Sequence, residues 1–126
     1  MKLEQIIKLF LILLATYSCK GSDFYQGTWK SVDDQQNHYN ISFSQDSMTV
    51  KDDAKIVTKL HYTQRSVLIE NGSRTYGIRL DDGRMFSIVF PNGSEPKKGA
   101  IIDQNGKVIY TIGQDDYYEY KEIFGL

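Results

Sequence analysis

One cysteine, two histidines and a set of paired acids are the side chains of this 126-residue chain with the most chemistry to offer. Cys19 is the only thiol, so no disulfide can form within the chain and its sulfur is open to modification. His38 and His61 belong to no His-x-His, His-Glu-x-x-His or Cys-x-x-Cys arrangement, and both read as structural or surface residues rather than zinc ligands. Asp33-Asp34, Asp52-Asp53, Asp81-Asp82 and Asp115-Asp116 fall at expected turns or strand ends. Asp103-Gln104-Asn105-Gly106 opens like a calcium loop but lacks the distal bidentate Glu, and the same residues suit a hairpin turn. There is no Gly-x-Ser-x-Gly elbow and no phosphate-cradling glycine loop. The expectation is a non-enzyme with no cofactor and no metal, although glycosidase-type carboxylate pairs are assembled only in the fold.

The position of Cys19 gives the lone thiol a role. Lys2 and Lys8 precede the apolar run Leu9-Phe10-Leu11-Ile12-Leu13-Leu14-Ala15, as a charged region precedes the apolar stretch of an export signal. The uncharged stretch from Leu9 to Cys19 is shorter than the roughly 20 residues a spanning helix needs. Residues 1–18 therefore read as a removable signal helix, outside the fold proper.

Leu14-Ala15-Thr16-Tyr17-Ser18-Cys19 resembles the lipobox of bacterial lipoproteins, with Ser18 as the small residue beside the cysteine. Thr16 and Tyr17 depart from the strict pattern and resemble the looser form common in Bacteroidetes. The resemblance implies cleavage before Cys19 and acylation of its sulfur and new amino terminus, palmitate among the chains. Several acyl chains anchor a protein lastingly, where one binds only marginally. Residues 19–23 then read as the lipidated cysteine and a short flexible polar tether, and residues 24–126 as one domain. Lys20 is not the aspartate that retains some lipoproteins at the inner membrane, so the expected place is the bacterial cell envelope, lipid-anchored at the outer membrane.

With the leader go Lys2, Lys8 and Glu4, so 15 basic and 16 acidic residues become 13 and 15, a net charge of about −2. That is no footprint of a nucleic-acid binder. Asn71-Gly72, Asp82-Gly83, Asn92-Gly93 and Asn105-Gly106 place four hairpin dipeptides within 36 residues. Such dipeptides tolerate positive φ and favour type I′ turns. Between them apolar residues alternate: Tyr39, Ile41 and Phe43; Met48 and Val50; Tyr76, Ile78 and Leu80; Phe86, Ile88 and Phe90. Period-2 patterns put one face to the core and the other to solvent. The expected strands are 24–32, 38–44, 47–52, 55–63, 66–71, 74–81, 84–90, 98–103, 107–113 and 116–121. Eight to ten short strands in so short a chain predict an all-β fold, a small antiparallel up-and-down barrel.

Gly27-Thr28-Trp29 at the start of the first strand is similar to the first conserved motif of lipocalins and lipocalin-like lipoproteins. The resemblance implies that Gly27 and Trp29 form a barrel-closing motif, with Trp29 under a basic side chain from near the last strand. No Arg follows Arg84, which leaves Lys121 as the late basic candidate. The expected function is an envelope-anchored binding domain for a small hydrophobic ligand, lined by Phe43, Leu60, Ile78, Phe86 and Ile88. The alternative is a filled protein-recognition module: an inhibitor, an immunity-type protein or an accessory subunit of an outer-membrane complex. Its contact surface would centre on Tyr117, Tyr118, Tyr120 and Phe124, where aromatics are densest. Asp46-Ser47-Met48 also resembles the short O-glycosylation acceptor of Bacteroidetes, at an expected turn.

Overall fold

A computed structural model describes residues 21–93 and 98–125. The leader 1–18, Cys19 and Lys20 lie outside the described residues. Eight strands form one closed antiparallel barrel in which each strand pairs with its sequence neighbours and β1 with β8. They are β1 (Gly27–Val32), β2 (His38–Phe43), β3 (Ser47–Asp52), β4 (Val57–Glu70), β5 (Ser73–Leu80), β6 (Met85–Phe90), β7 (Lys98–Asp103) and β8 (Val108–Gly113). A single helical turn, α1 (Tyr120–Phe124), follows. The architecture is the expected small lipocalin-like barrel, with almost no helix.

The alternation sets which side chains enter it. Across the β2–β3 ladder Ile41 faces Val50 and Phe43 faces Met48, and across β5–β6 Ile78 faces Phe86 and Tyr76 faces Ile88. These partners share the inner face, and Ile41, Met48, Tyr76, Ile78 and Ile88 are all buried.

Three expectations about elements need correction. Segments 55–63 and 66–71 are one strand, β4, with a register shift between Gln64 and Ser66. The shift breaks the alternation and looks like a strand end in the sequence. Residues 116–121 form no strand: β1 and β8 already pair and leave no free edge. Instead the Glu119 and Glu122 side chains bond each other's backbone amides and start α1. Residues 24–26 belong to a turn and coil before β1.

Of the four hairpin dipeptides, Asn71-Gly72 adopts positive φ at both positions, 52° and 82°, as a type I′ turn requires. Asn92-Gly93 sits in the longer β6–β7 connection, where the Gly93 amide donates to the Gly72 carbonyl. The remaining two belong to a pattern that recurs at every hairpin on the opposite end of the barrel. At Asp33–Asn37, Asp52–Ile56, Leu80–Arg84 and Asp103–Lys107 the first residue's amide donates to the fifth residue's carbonyl, and the fourth residue's amide donates back to the first residue's carbonyl. The fourth residue has positive φ each time: Gln36 66°, Lys55 64°, Gly83 96°, Gly106 85°. This is a tight turn with a bulge, not type I′. Three of the four begin with Asp, whose carboxylate caps the amides that follow. Asp33-Asp34, Asp52-Asp53 and Asp81-Asp82 therefore serve the turns, Asp82 by accepting from the Arg84 amide.

Candidate functional site

The two ends of the barrel differ. At the end where β1 begins, the chain preceding it folds back over the mouth. Tyr25 is fully buried and packs edge-on to Phe43 at 5.3 Å, and tilted against Tyr76 at 5.0 Å. Phe24 packs edge-on to Phe90 at 5.1 Å. The Tyr25 hydroxyl donates to Gln64 Oε1 at 2.7 Å, which also accepts from the Ser22 amide and hydroxyl, each at 2.9 Å. The Gly21 amide donates to the Gln45 carbonyl at 2.7 Å. Gly21 to Ser22, expected as part of a flexible tether, are thus fastened to the barrel.

Trp29 is 1% exposed, and its Nε1–H donates to the Tyr25 carbonyl at 2.9 Å. It holds the segment that seals this end. Gly27 has φ of 120°, a backbone that glycine adopts freely, just where the chain turns from the plug into β1. The cation over an aromatic ring here is Arg74, 4.3 Å from the Phe24 centroid. Lys121, expected over Trp29, is exposed on α1.

The opposite end is open. A cavity of about 290 Å³ enters between the four repeated turns, with Met48 and Phe86 at its floor and Val50, Leu60, Ile109 and Tyr110 along its sides. Asp33, Asp34, Arg84 and Lys107 stand at its rim. A second volume of about 260 Å³ shares Val50, Leu60, Arg84 and Tyr110 and adds Tyr39, Asp52, Ile56 and Thr58. The rim charges are paired: Arg84 with Asp82 at 2.8 Å and Lys107 with Asp34 at 3.2 Å, both more than half exposed or nearly so. Such pairs are weak and exchange readily with a ligand.

Asp33 is committed to its turn. Its carboxylate accepts from the Gln35 and Asn37 amides, the Asn37 side chain and the Tyr39 hydroxyl, at 2.9 to 3.2 Å. Burial acts to raise its pKa, but these bonds together hold it below the usual carboxylate range. The bond to Asp33, with burial second, pushes the Tyr39 phenol up to about 12. Burial, then the Asp33 charge, raises Tyr110. Tyr39 and Tyr110 meet edge to face at 5.3 Å and present neutral hydroxyl groups at physiological pH. Deeper on the inner face, opposite Tyr39 on the β1–β2 ladder, Ser31 is fully buried. Its hydroxyl has no hydrogen-bond partner among the described residues.

Of the five residues expected to line a ligand cavity, Leu60 and Phe86 do so. Phe43, Ile78 and Ile88 lie in the solid core instead. The sequence reading missed Met48, Val50, Ile109, Tyr39 and Tyr110 as cavity residues. The alternation already turned Met48, Val50 and Tyr39 inward, and that signal marks the floor and walls once the closed end is known.

The aromatic C-terminal segment lies across the outside of the barrel seam. Only three residue pairs join β1 to β8. Over them, Lys30 Nζ donates to the Asp115 carbonyl, Tyr117 stacks on His38 at 4.1 Å, and Thr111 Oγ1 donates to the Tyr118 carbonyl. Lys98 Nζ sits 4.8 Å from the Tyr118 ring centroid, so β7, β8, β1 and β2 are all bridged. Val32, Ala100 and Thr111 are buried although their strand parity turns them outward. Of the expected recognition surface, Tyr117 and Tyr118 pack the segment down, and Tyr120, 48% exposed, stands most open, against Phe124 at 4.8 Å. His61 is exposed, with a ring nitrogen 3.4 Å from the Ser47 hydroxyl. Ser47 itself is 6% exposed, which corrects the expectation of a turn able to carry a sugar there.

No helix among the described residues is long and apolar enough to cross a membrane. Comparison with known proteins finds no matching family model, no matching characterised sequence and no matching solved structure.

Proposed function

We propose that this chain is an envelope-anchored lipoprotein whose barrel is a non-enzymatic cup for one small amphipathic molecule. The observation that carries the reading is the asymmetry of the barrel: one end sealed by Phe24 and Tyr25, the other open onto an apolar cavity with a polar rim. A cavity of about 290 Å³ holds roughly ten water-sized groups, the bulk of a medium-chain acid or a single-ring aromatic. It stands at the lower edge of the usual ligand-pocket scale of roughly 300–1,000 Å³. Met48, Phe86, Leu60 and Val50 suit an apolar body, and the Tyr110 hydroxyl with Arg84 and Lys107 suits an anionic or accepting end. Of the carboxylates at the cup, Asp33 is spent on four hydrogen bonds and is a poor general base, and Asp34 is paired with Lys107. The lipobox-like Leu14–Cys19 supports the anchor.

The test is displacement of a small environment-sensitive fluorophore by octanoate from the full-length protein in detergent. Saturable displacement at one site is expected, and Leu60→Trp, which fills the cavity, abolishes it. Failure to bind, or equal binding by the filled variant, overturns the cup as the site.

A further inference from the structure

The strand β4 outruns its neighbour. Its last pair with β3 is His61 with Ser47, and the Tyr62 amide still donates to the Asp46 carbonyl, so among the described residues the stretch from Thr63 to Glu70 is paired with a strand on one side only, with β5. On this free edge Val67 is 47% exposed, Leu68 55% and Ile69 62%. Val67 lies opposite Tyr76 and Ile69 opposite Arg74 on the inner face, beyond the plug, and Leu68 lies opposite Thr75 on the outer face. Three consecutive large apolar residues on both faces of an unpaired edge are a liability unless something covers them.

Their place relative to the N-terminus says what does. Ser22 is bonded to Gln64 and Gly21 to Gln45, so the chain reaches the barrel at the level of Gln64. Cys19 precedes Gly21 by two positions, with only Lys20 between them, a span of at most about 7 Å. Ile69 lies five residues past Gln64, roughly 17 Å along the strand. With strands tilted by roughly 40° in such a barrel, that is a rise of about 13 Å along its axis. The hairpin therefore reaches at least as far as Cys19. A lipid-bearing Cys19 cannot hold the sealed end away from the bilayer by more than the hairpin already extends.

We infer that the β4–β5 hairpin seats Val67, Leu68 and Ile69 in the headgroup region of the same bilayer that takes the Cys19 acyl chains. The hairpin outreaches Cys19 by roughly 6 Å, within the insertion depth of about 5–10 Å typical of interfacial elements. The seated hairpin fixes the barrel's orientation, sealed end down and cup facing away from the membrane. This inference rests on the lipid anchor of the proposed function.

The test uses the lipidated full-length chain in vesicles of phosphatidylethanolamine and phosphatidylglycerol. A polarity-sensitive dye is placed on Leu68→Cys, the native thiol being blocked by acylation, and on Asp53→Cys, exposed in a rim turn at the cup end and outside the cavity lining, as a comparison. The expected result is a blue-shifted emission at position 68, quenched by lipids brominated near the headgroup, and water-like emission at position 53. Water-like emission at both positions in vesicles that carry the protein overturns the inference. A blue shift in native envelope fractions but not in pure lipid also overturns it, in favour of an extended segment of another protein pairing with the free edge. Vesicle flotation separates the anchor from the hairpin: a chain that fails to float refutes the anchor itself, and the inference falls with it.

Discussion

Replacing Gln64 by leucine should unfasten the segment that seals the closed end of the barrel. Gln64 Oε1 is the shared acceptor for the Tyr25 hydroxyl and for both the amide and the hydroxyl of Ser22. Tyr25 is fully buried, so its hydroxyl loses its acceptor with no water to replace it. An orphaned buried donor costs about 1–3 kcal/mol, and the two partly exposed Ser22 groups regain water at a cost of about 0.5 kcal/mol each. The expected loss is about 2–4 kcal/mol. A domain's whole stability is about 5–15 kcal/mol. At about 4–8 °C per kcal/mol for a domain of this size, Tm falls by roughly 10–30 °C. Urea unfolding followed by tryptophan fluorescence is the assay, because the single Trp29 bonds the Tyr25 carbonyl and reports the plug directly. The decisive arm is the pair Gln64→Leu with Tyr25→Phe. Removing both partners leaves no orphan, so the double variant should be about 1–2 kcal/mol more stable than Gln64→Leu alone. Additive losses would refute the reasoning.

The repeated rim turns make a second prediction. Gln36→Gly and Lys55→Gly should each stabilise the fold by about 0.5–1 kcal/mol by relieving positive φ, while Gly83→Ala and Gly106→Ala lose a similar amount, read by thermal unfolding. A third concerns acid. The Asp33 pKa is lowered in the folded protein, so its contribution to stability is present above the ordinary carboxylate value of about 4 and is lost as pH falls through the lowered value. Asp33→Asn should flatten this acid limb and bring the Tyr39 phenol down from about 12, as NMR titration would register. A fourth concerns the unpartnered Ser31 hydroxyl. Ser31→Ala should leave the unliganded protein equally stable or gain up to about 1 kcal/mol, and a loss larger than that would mean the hydroxyl has a partner.

What could be read from the sequence was local. The alternation of Tyr39, Ile41 and Phe43 and of Ile78 and Leu80 fixed inner and outer faces, and the closed barrel follows from it. Leu60 and Phe86 were recognisable as inward-facing, but so were Phe43, Ile78 and Ile88. Which of them meet a cavity depends on Phe24 and Tyr25 folding back over one end, a contact between distant parts of the chain. Those two residues looked like the start of the first strand. The bulge after Gln64 hid the length of β4, and with it the exposed Val67–Ile69 edge. Tyr117-Tyr118-Glu119-Tyr120 resembled another strand because aromatic residues favour sheets. Only ring closure, a global property, denies it a partner. The spacing of Glu119 and Glu122 was a legible, though weak, sign of a helix start.

The measurement closest to the central claim is a methyl NMR titration of the full-length protein with octanoate. The account predicts shifts at Val50, Leu60 and Ile109, which line the cup, and none at Ile78, Ile88 or Ile112 in the filled half. Unmoved signals at the cup, or changes centred on the sealed end, would contradict it.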